Sequence, residues 1–193
     1  MPRTFEQNQA IKEARKKKVC KAALRLFALN GFKDVAVDDI TREAHCSHGL
    51  FYHYYKDQDD VFLSIEKDIM TRDNGKYLID FEKLKQLGGI KGLNAFFEQF
   101  QIIDEGEDDV LYYYAILSQN DFELTRVPSA YYGPQDKAIF RDLIKQAMDE
   151  GAVRPGDPDE IASLCYFIVS SGLIRRMTLN RRPLSLEALK RVF

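Results

Sequence analysis

The stretch VDDITREAHCSHGLFYHYY, Val37–Tyr55, holds every histidine of the chain, one of its three cysteines and four Phe or Tyr rings. Two readings compete for it. His45, Cys46, His48 and His53 could gather a metal ion, or the segment could be two short helices joined by a tight turn. Val37, Ile40, Thr41 and Ala44 recur at helical spacing. Ser47 can cap a following helix to about Tyr54 by accepting a bond from an orphan backbone N–H. Only His45 and Cys46 are then left for the turn. Tetrahedral zinc needs four convergent side chains. With Ser47 opening a helix, His45 precedes it while His48 and His53 leave it at different angles, so no metal is expected.

Two short helices joined this tightly describe a helix-turn-helix. A helix of about two turns is marginal alone. Phe51 and Tyr55 are therefore expected to bury against Leu26, Phe27 and Ile40, with His48, Gly49, Leu50, Tyr52 and His53 facing outward.

Upstream, Ile11, Ala14, Val19, Ala22, Ala23, Leu26 and Phe27 predict a helix from about Asn8 to Asn30, stopped by Gly31. Downstream, Asp57 can cap a fourth helix carried inward by Val61, Phe62, Ile65 and Ile69. The remainder reads as helices interrupted at LGGIKG (87–92), at an acidic loop DEGEDD (104–109), at RVPSAYYGP (126–134) and at GAVRPGDPDE (151–160). A last helix is expected in LSLEALKRVF (184–193). No strand pattern and no internal repeat is evident. The expected fold is all-α: an N-terminal three-helix helix-turn-helix head, residues 1–56, and a larger C-terminal helical body, residues 57–193, for ligand binding and dimerisation.

A 45% hydrophobic and 30% charged composition is ordinary for a soluble domain with a real core. Residues 1–56 carry 11 Lys/Arg against 6 Asp/Glu, a net +5, and the rest carry 17 against 24, a net −7. A basic head on an acidic body points to a polyanionic partner for the head. Cys20, Cys46 and Cys165 are scattered and odd in number, which suggests no disulfide framework and fits a cytoplasmic location. No secretion signal is evident in the first residues, and the longest apolar run, Leu164–Leu173, is about half of a membrane span. GxSxG, HExxH, GxxxxGK[ST] and a strand-borne GxGxxG are all missing, so neither catalytic residues nor a cofactor is expected.

ALRLFALNGFKDVAVDDITREAHCSHGLFYHYYKDQDDVF, Ala23–Phe62, resembles the DNA-binding domain of the TetR family of transcriptional repressors. The likeness rests on LxLF before a glycine, V-x-x-I-x-x-x-A in the second helix and S-x-G-x-F-Y-H-Y-Y in the third. In the body, LIKQAMDEGAVRPGDPDEIASLCYFIV (143–169) matches the family's order of helix, turn and long helix.

The resemblance implies a homodimeric, ligand-responsive regulator, with repression expected, whose third helix enters the major groove of double-stranded DNA. The DNA-binding residues it implies are Lys17, Arg42, Ser47, His48, Gly49, Leu50, Tyr52, His53, Lys56 and Gln58. Tyr52 is expected to bond a phosphate, Leu50 to touch a thymine methyl, and His48 or His53 to donate to a guanine edge. An apolar or aromatic small effector is expected among Phe97, Phe100, Tyr113, Tyr114, Tyr131 and Tyr166. The dimer contact is expected at Ile161, Leu164, Ile168, Ser171, Gly172 and Arg175, with the last helix beside them.

Five residues depart from the family pattern: Ala36 for a Ser/Thr cap, Asp38 for a basic residue, His45 for the turn glycine, and His48 and Gln58 for lysines. Fewer phosphate neutralisations mean weaker, less salt-sensitive binding. The alternative is therefore a helical ligand-binding or protein-interaction dimer whose DNA binding is weakened or lost. Imidazoles ordinarily titrate near about pH 6.5, so operator affinity is expected to rise between roughly pH 7.5 and 6. Flat affinity across that range at constant salt would remove the histidines from the mechanism.

Overall fold

The computed structural model describes residues 4–119, 129 and 132–179. Nine α-helices follow in order among them: α1 Phe5–Asn30, α2 Val37–Glu43, α3 His48–Tyr54, α4 Gln58–Thr71, α5 Phe81–Leu87, α6 Gly89–Asp104, α7 Asp108–Gln119, α8 Pro134–Asp149 and α9 Pro158–Leu179. No strand occurs among the described residues. The expected last helix (184–193) and Tyr131 lie outside them.

Helix α1 begins three residues before the expected start, because the Thr4 hydroxyl accepts from the Gln7 amide and the Gln7 side chain accepts from the Thr4 amide. Such reciprocal capping satisfies two otherwise orphan donors. The buried face of α1 starts only at Val19. Before it the helix projects from the head, which is why Ala14 is exposed and Ile11 half-buried. Leu24 is buried, and Leu26, expected inward, is half-buried against the core. Gly31 closes the helix at φ 92°, a backbone conformation that favours glycine.

The head's core is aromatic. Phe27 and Phe32 lie 4.7 Å apart, and Phe62 from α4 meets both at 6.3 and 5.5 Å. Phe62 also stacks on Tyr113 of α7 at 5.6 Å, so the head core continues into the body. Helix α4 is thus shared. Val61 and Phe62 face the head, while Ile65, Glu66, Ile69 and Met70 are buried further along.

In the body α6 packs on α5 and α8, α9 on α7 and α8, and α7 on α1. Gly92 allows the α6 approach, since a β-carbon there would stand 2.7 Å from the Leu84 carbonyl and 2.6 Å from a Leu143 methyl. Phe96 meets Phe140 at 4.3 Å and Phe100 at 4.9 Å, and Phe140 meets Tyr166 at 5.0 Å.

The acidic stretch 104–109 is shorter as a loop than expected. Asp104 ends α6, Asp108 and Asp109 open α7, and only 105–107 lie between. Arg72, just after α4, explains the compaction: it pairs with Asp68 at 2.6 Å, Asp109 at 2.7 Å and Glu107 at 3.4 Å. Its fork grips both oxygens of Asp109, the geometry in which Arg–carboxylate pairs are strongest.

Candidate nucleic-acid interface and ligand cleft

The turn between α2 and α3 is built by the backbone. Ala44 N–H donates to the Ile40 carbonyl at 2.8 Å, His45 N–H to Arg42 at 3.1 Å, and Cys46 N–H to Thr41 at 3.0 Å. His45 sits at φ 49°, in the left-handed region. A non-glycine residue there costs roughly 1–2 kcal/mol. His45→Gly is expected to stabilise the protein by about 1 kcal/mol in urea unfolding, the gain being trimmed by glycine's freer unfolded chain. A loss of stability would show that the imidazole makes up for its backbone.

Ser47 caps α3 by accepting from Leu50 N–H at 3.2 Å. Ala36 cannot cap α2, yet its own N–H is satisfied by the Asp39 carboxylate at 3.0 Å. Asp39 thus supplies half of the missing motif. Beneath α3, Phe51 is fully buried and Tyr55 nearly so. The Tyr55 hydroxyl lies 3.0 Å from Cys20 Sγ of α1 and ties the end of α3 to the head. Burial and the neighbouring thiol push that phenol well above its ordinary range.

The face above this core brings Ser47, His48, Gly49, Tyr52 and His53 together, all exposed, with Leu50 half-buried. A β-carbon on Gly49 would meet nothing nearer than Ser47 Oγ at 3.9 Å, so the backbone there is open to close approach. Lys17 and Lys56 are exposed. Gln58 differs: its amide donates to the Val35 carbonyl and braces α4 against the segment before α2.

Periodicity did not reveal how the charges pair. His48 Nε2 stands 3.5 Å from Asp38, Arg42 pairs with Asp39 at 3.0 Å, and Arg25 of α1 pairs with Glu43 at 2.6 Å. The Arg42–Asp39 pair is local, but the His48–Asp38 and Arg25–Glu43 contacts span ten and eighteen residues and leave no local spacing signal. Cys46 is half-buried in the turn; burial pushes its thiol up and nearby Lys18 opposes the shift. That is the reverse of an activated thiolate. No group of three or more potential metal ligands converges among the described residues.

Of the expected pocket residues, Phe100, Tyr113 and Tyr114 are buried, and half-buried Tyr166 packs against the same core. The Tyr113 hydroxyl donates to fully buried Glu66 at 2.6 Å, and the Tyr114 and Tyr132 hydroxyls are 2.7 Å apart. Burial pushes both Tyr113 and Tyr114 far up, with Glu66 adding to the effect on Tyr113. Phe97 instead lines a cleft of about 270 Å³ between α6, the end of α8 and the start of α9. Tyr112, first of the tyrosine run, is half-buried.

On α9, Ala162, Cys165, Val169 and Leu173 are buried within the subunit. The other side carries Leu164 at 54% and Phe167 at 69% exposure, with exposed Arg175 and half-buried Ile161, Ile168, Ser171 and Gly172. Phe167 was missed as a surface residue because α9 is apolar on every side, so spacing does not reveal which ring turns outward. No helix among the described residues is long and apolar enough to cross a membrane.

Residues 19–65 match the family model described as bacterial regulatory proteins, tetR family. The chain is 34% identical over 58 residues to the HTH-type transcriptional regulator HbdR of Aromatoleum sp. (strain CIB), a match covering 30% of this chain and a quarter (25%) of that protein. It is 24% identical over 152 residues to the HTH-type transcriptional repressor KstR2 of Mycolicibacterium smegmatis, covering 74% of this chain and 69% of that one. Among solved structures it is similar in fold to the MbdR regulator from Azoarcus sp. CIB, with TM-score 0.55, 22% identity and coverage of 92% and 94%.

Proposed function

Through its head, residues 19–65, this chain belongs to the tetR family of bacterial DNA-binding regulators, and we propose that it is a ligand-responsive repressor acting as a homodimer on a pseudo-palindromic operator. The observation that carries this reading is the exposed face of α3, Ser47 to His53, held rigidly over buried Phe51 and Tyr55. A helix presented in this way fits the major groove, where Tyr52 bonds phosphate and His48 and His53 meet base edges. Lys17, Arg42 and Lys56 flank the groove. Residues 1–56 bind DNA, and residues 57–193 receive an effector and dimerise through the outer side of α9. Effector binding shifts the separation of the two heads, and so their fit to the half-sites. A gel shift with DNA flanking its own gene, at low and moderate salt, tests the reading; absence of salt-dependent binding would overturn it.

One observation favours the second reading, a helical dimer that has lost DNA binding. Arg42 of α2 and Arg25 of α1 already face Asp39 and Glu43, and Asp38 stands beside His48. The two readings separate on Asp38→Lys, which turns a carboxylate beside His48 into a cation. For a DNA-binding chain operator affinity is expected to rise about tenfold and the salt slope to steepen by about 1, measured by fluorescence anisotropy. An unchanged slope would place Asp38 away from the duplex. Protonating His48 acts in the same direction, because the pair with Asp38 then carries no net charge instead of a negative one.

A further inference from the structure

We propose that the cleft between α6 and α9, rather than the ring-filled centre of the body, is the effector site, and that it takes a small molecule with an apolar body and a single hydrogen-bonding group. The proposal rests on the ligand-responsive reading above and names the place and class of its ligand.

Among the described residues the centre is closely packed. Phe96, Phe100, Phe140 and Tyr166 stand ring against ring, and the hydroxyls of Tyr113, Tyr114 and Tyr132 are taken up by Glu66 and by one another. An effector there must displace packed rings or break buried hydrogen bonds, each at a cost. The cleft needs neither.

Leu93 and Phe97 of α6, Ile144 of α8, and Ile161 and Cys165 of α9 give it apolar walls, and half-buried Asn94 contributes the one polar side chain of the lining. Its volume of about 270 Å³ lies near the lower bound of ordinary ligand sites, roughly 300 Å³. A helix, about 10 Å across with its side chains, does not fit such a space, so a small molecule is the occupant. A carboxamide at the edge of an apolar cavity both donates and accepts, and it fixes the orientation of one hydroxyl, carbonyl or amide on the ligand.

The cleft is also preformed. Gln146 of α8 and Glu150 just after it hold the start of α6: Gln146 accepts from Gly89 N–H at 2.9 Å and Glu150 from Ile90 N–H at 2.9 Å. One turn on, Gly92 lets α6 close tightly on Leu143 and the Leu84 carbonyl. The gap beside α9 therefore persists while α6 and α8 are clamped. Burial pushes the Cys165 thiol up to about 12, so the wall binds without reacting. Cys165 also sits between Leu164 and Phe167 of the outer α9 face in chain order, so an occupant presses on the helix that carries the dimer contact.

The test uses the full chain, with isoleucine δ-methyls labelled for NMR, and two probes of similar size, benzyl alcohol and toluene. Benzyl alcohol is expected to shift the methyls of Ile90, Ile144 and Ile161 and to leave those of Ile40, Ile65 and Ile69 in place. Toluene is expected to bind there at least about fivefold more weakly, for want of the hydrogen bond. Asn94→Leu should erase that preference, and Ile161→Phe should abolish binding of both, with the unmoved head methyls reporting an intact fold. Shifts confined to α4 or the head, no shift at millimolar probe, or an Asn94→Leu chain that keeps the preference would each overturn the proposal. The spectra are recorded without DNA. An empty cleft in a chain that still binds its operator refutes the cleft alone, and an occupied cleft in a chain that binds no DNA leaves the site standing and refutes the regulator.

Discussion

Phe51→Ala is expected to destabilise the protein by about 3–5 kcal/mol and to abolish operator binding. The ring is fully buried beneath α3, in contact range of Tyr52 at 5.3 Å and Tyr55 at 6.0 Å between centroids. Removing it loses the transfer energy of the side chain and leaves a cavity that close-packed neighbours fill only in part. Helix α3 has seven residues, too few to persist without its buried anchor. Stability and function are therefore coupled at this position, since the face that meets DNA exists only while Phe51 holds it. Urea unfolding gives the first quantity and an operator titration the second. A loss below about 1 kcal/mol with binding retained would show that α3 is held by its cap and the Tyr55–Cys20 contact instead.

The second large effect is expected from Phe167→Glu, which should convert the proposed dimer to monomers at micromolar concentration. At 69% exposure Phe167 is the most exposed residue of the apolar outer α9 face, close to Leu164 at 54%. In a two-fold contact one substitution places two carboxylates at the same interface, both desolvated and mutually repelling. Aromatic anchors of this kind carry several kcal/mol each, so dimer affinity should fall by about a hundredfold or more. Operator affinity should fall with it, because two half-sites are no longer engaged together. The subunit itself should fold normally, since the side chain does not enter the core made by Cys165, Val169 and Leu173. Sedimentation and circular dichroism report the two halves of this expectation. A variant that remains dimeric would place the interface elsewhere.

The head was legible in the sequence because its signals are local. Ser47 and Asp57 cap as their types require, and Val37, Ile40 and Ala44 keep helical spacing across a two-residue turn. His45 stands where the family pattern has a turn glycine, and it adopts φ 49°. What escaped the reading is tertiary. Asp39 replaces the absent cap at Ala36, Gln58 turns back to Val35, and Asp38 reaches His48, each decided by how helices fold onto one another.

In the body, residue type says less. Tyr113 and Tyr114 suggested a pocket, because tyrosine is at home in both pockets and cores. The buried carboxylate of Glu66 claims the first, and Tyr132 with the Tyr77 carbonyl claims the second. The cleft is lined by mostly apolar residues from three separated segments, and of these only Phe97 was expected at a ligand site. Helix α9 is apolar all round, so its division into an inner stripe and an outer face is legible only in three dimensions.

A footprint on the DNA flanking the protein's own gene tests the central claim most directly. The account predicts two protected blocks related by two-fold symmetry, about 34 Å apart centre to centre, that fade as salt rises and that sharpen with Asp38→Lys. Uniform accessibility of that DNA at low salt, with the dimer intact, would contradict it.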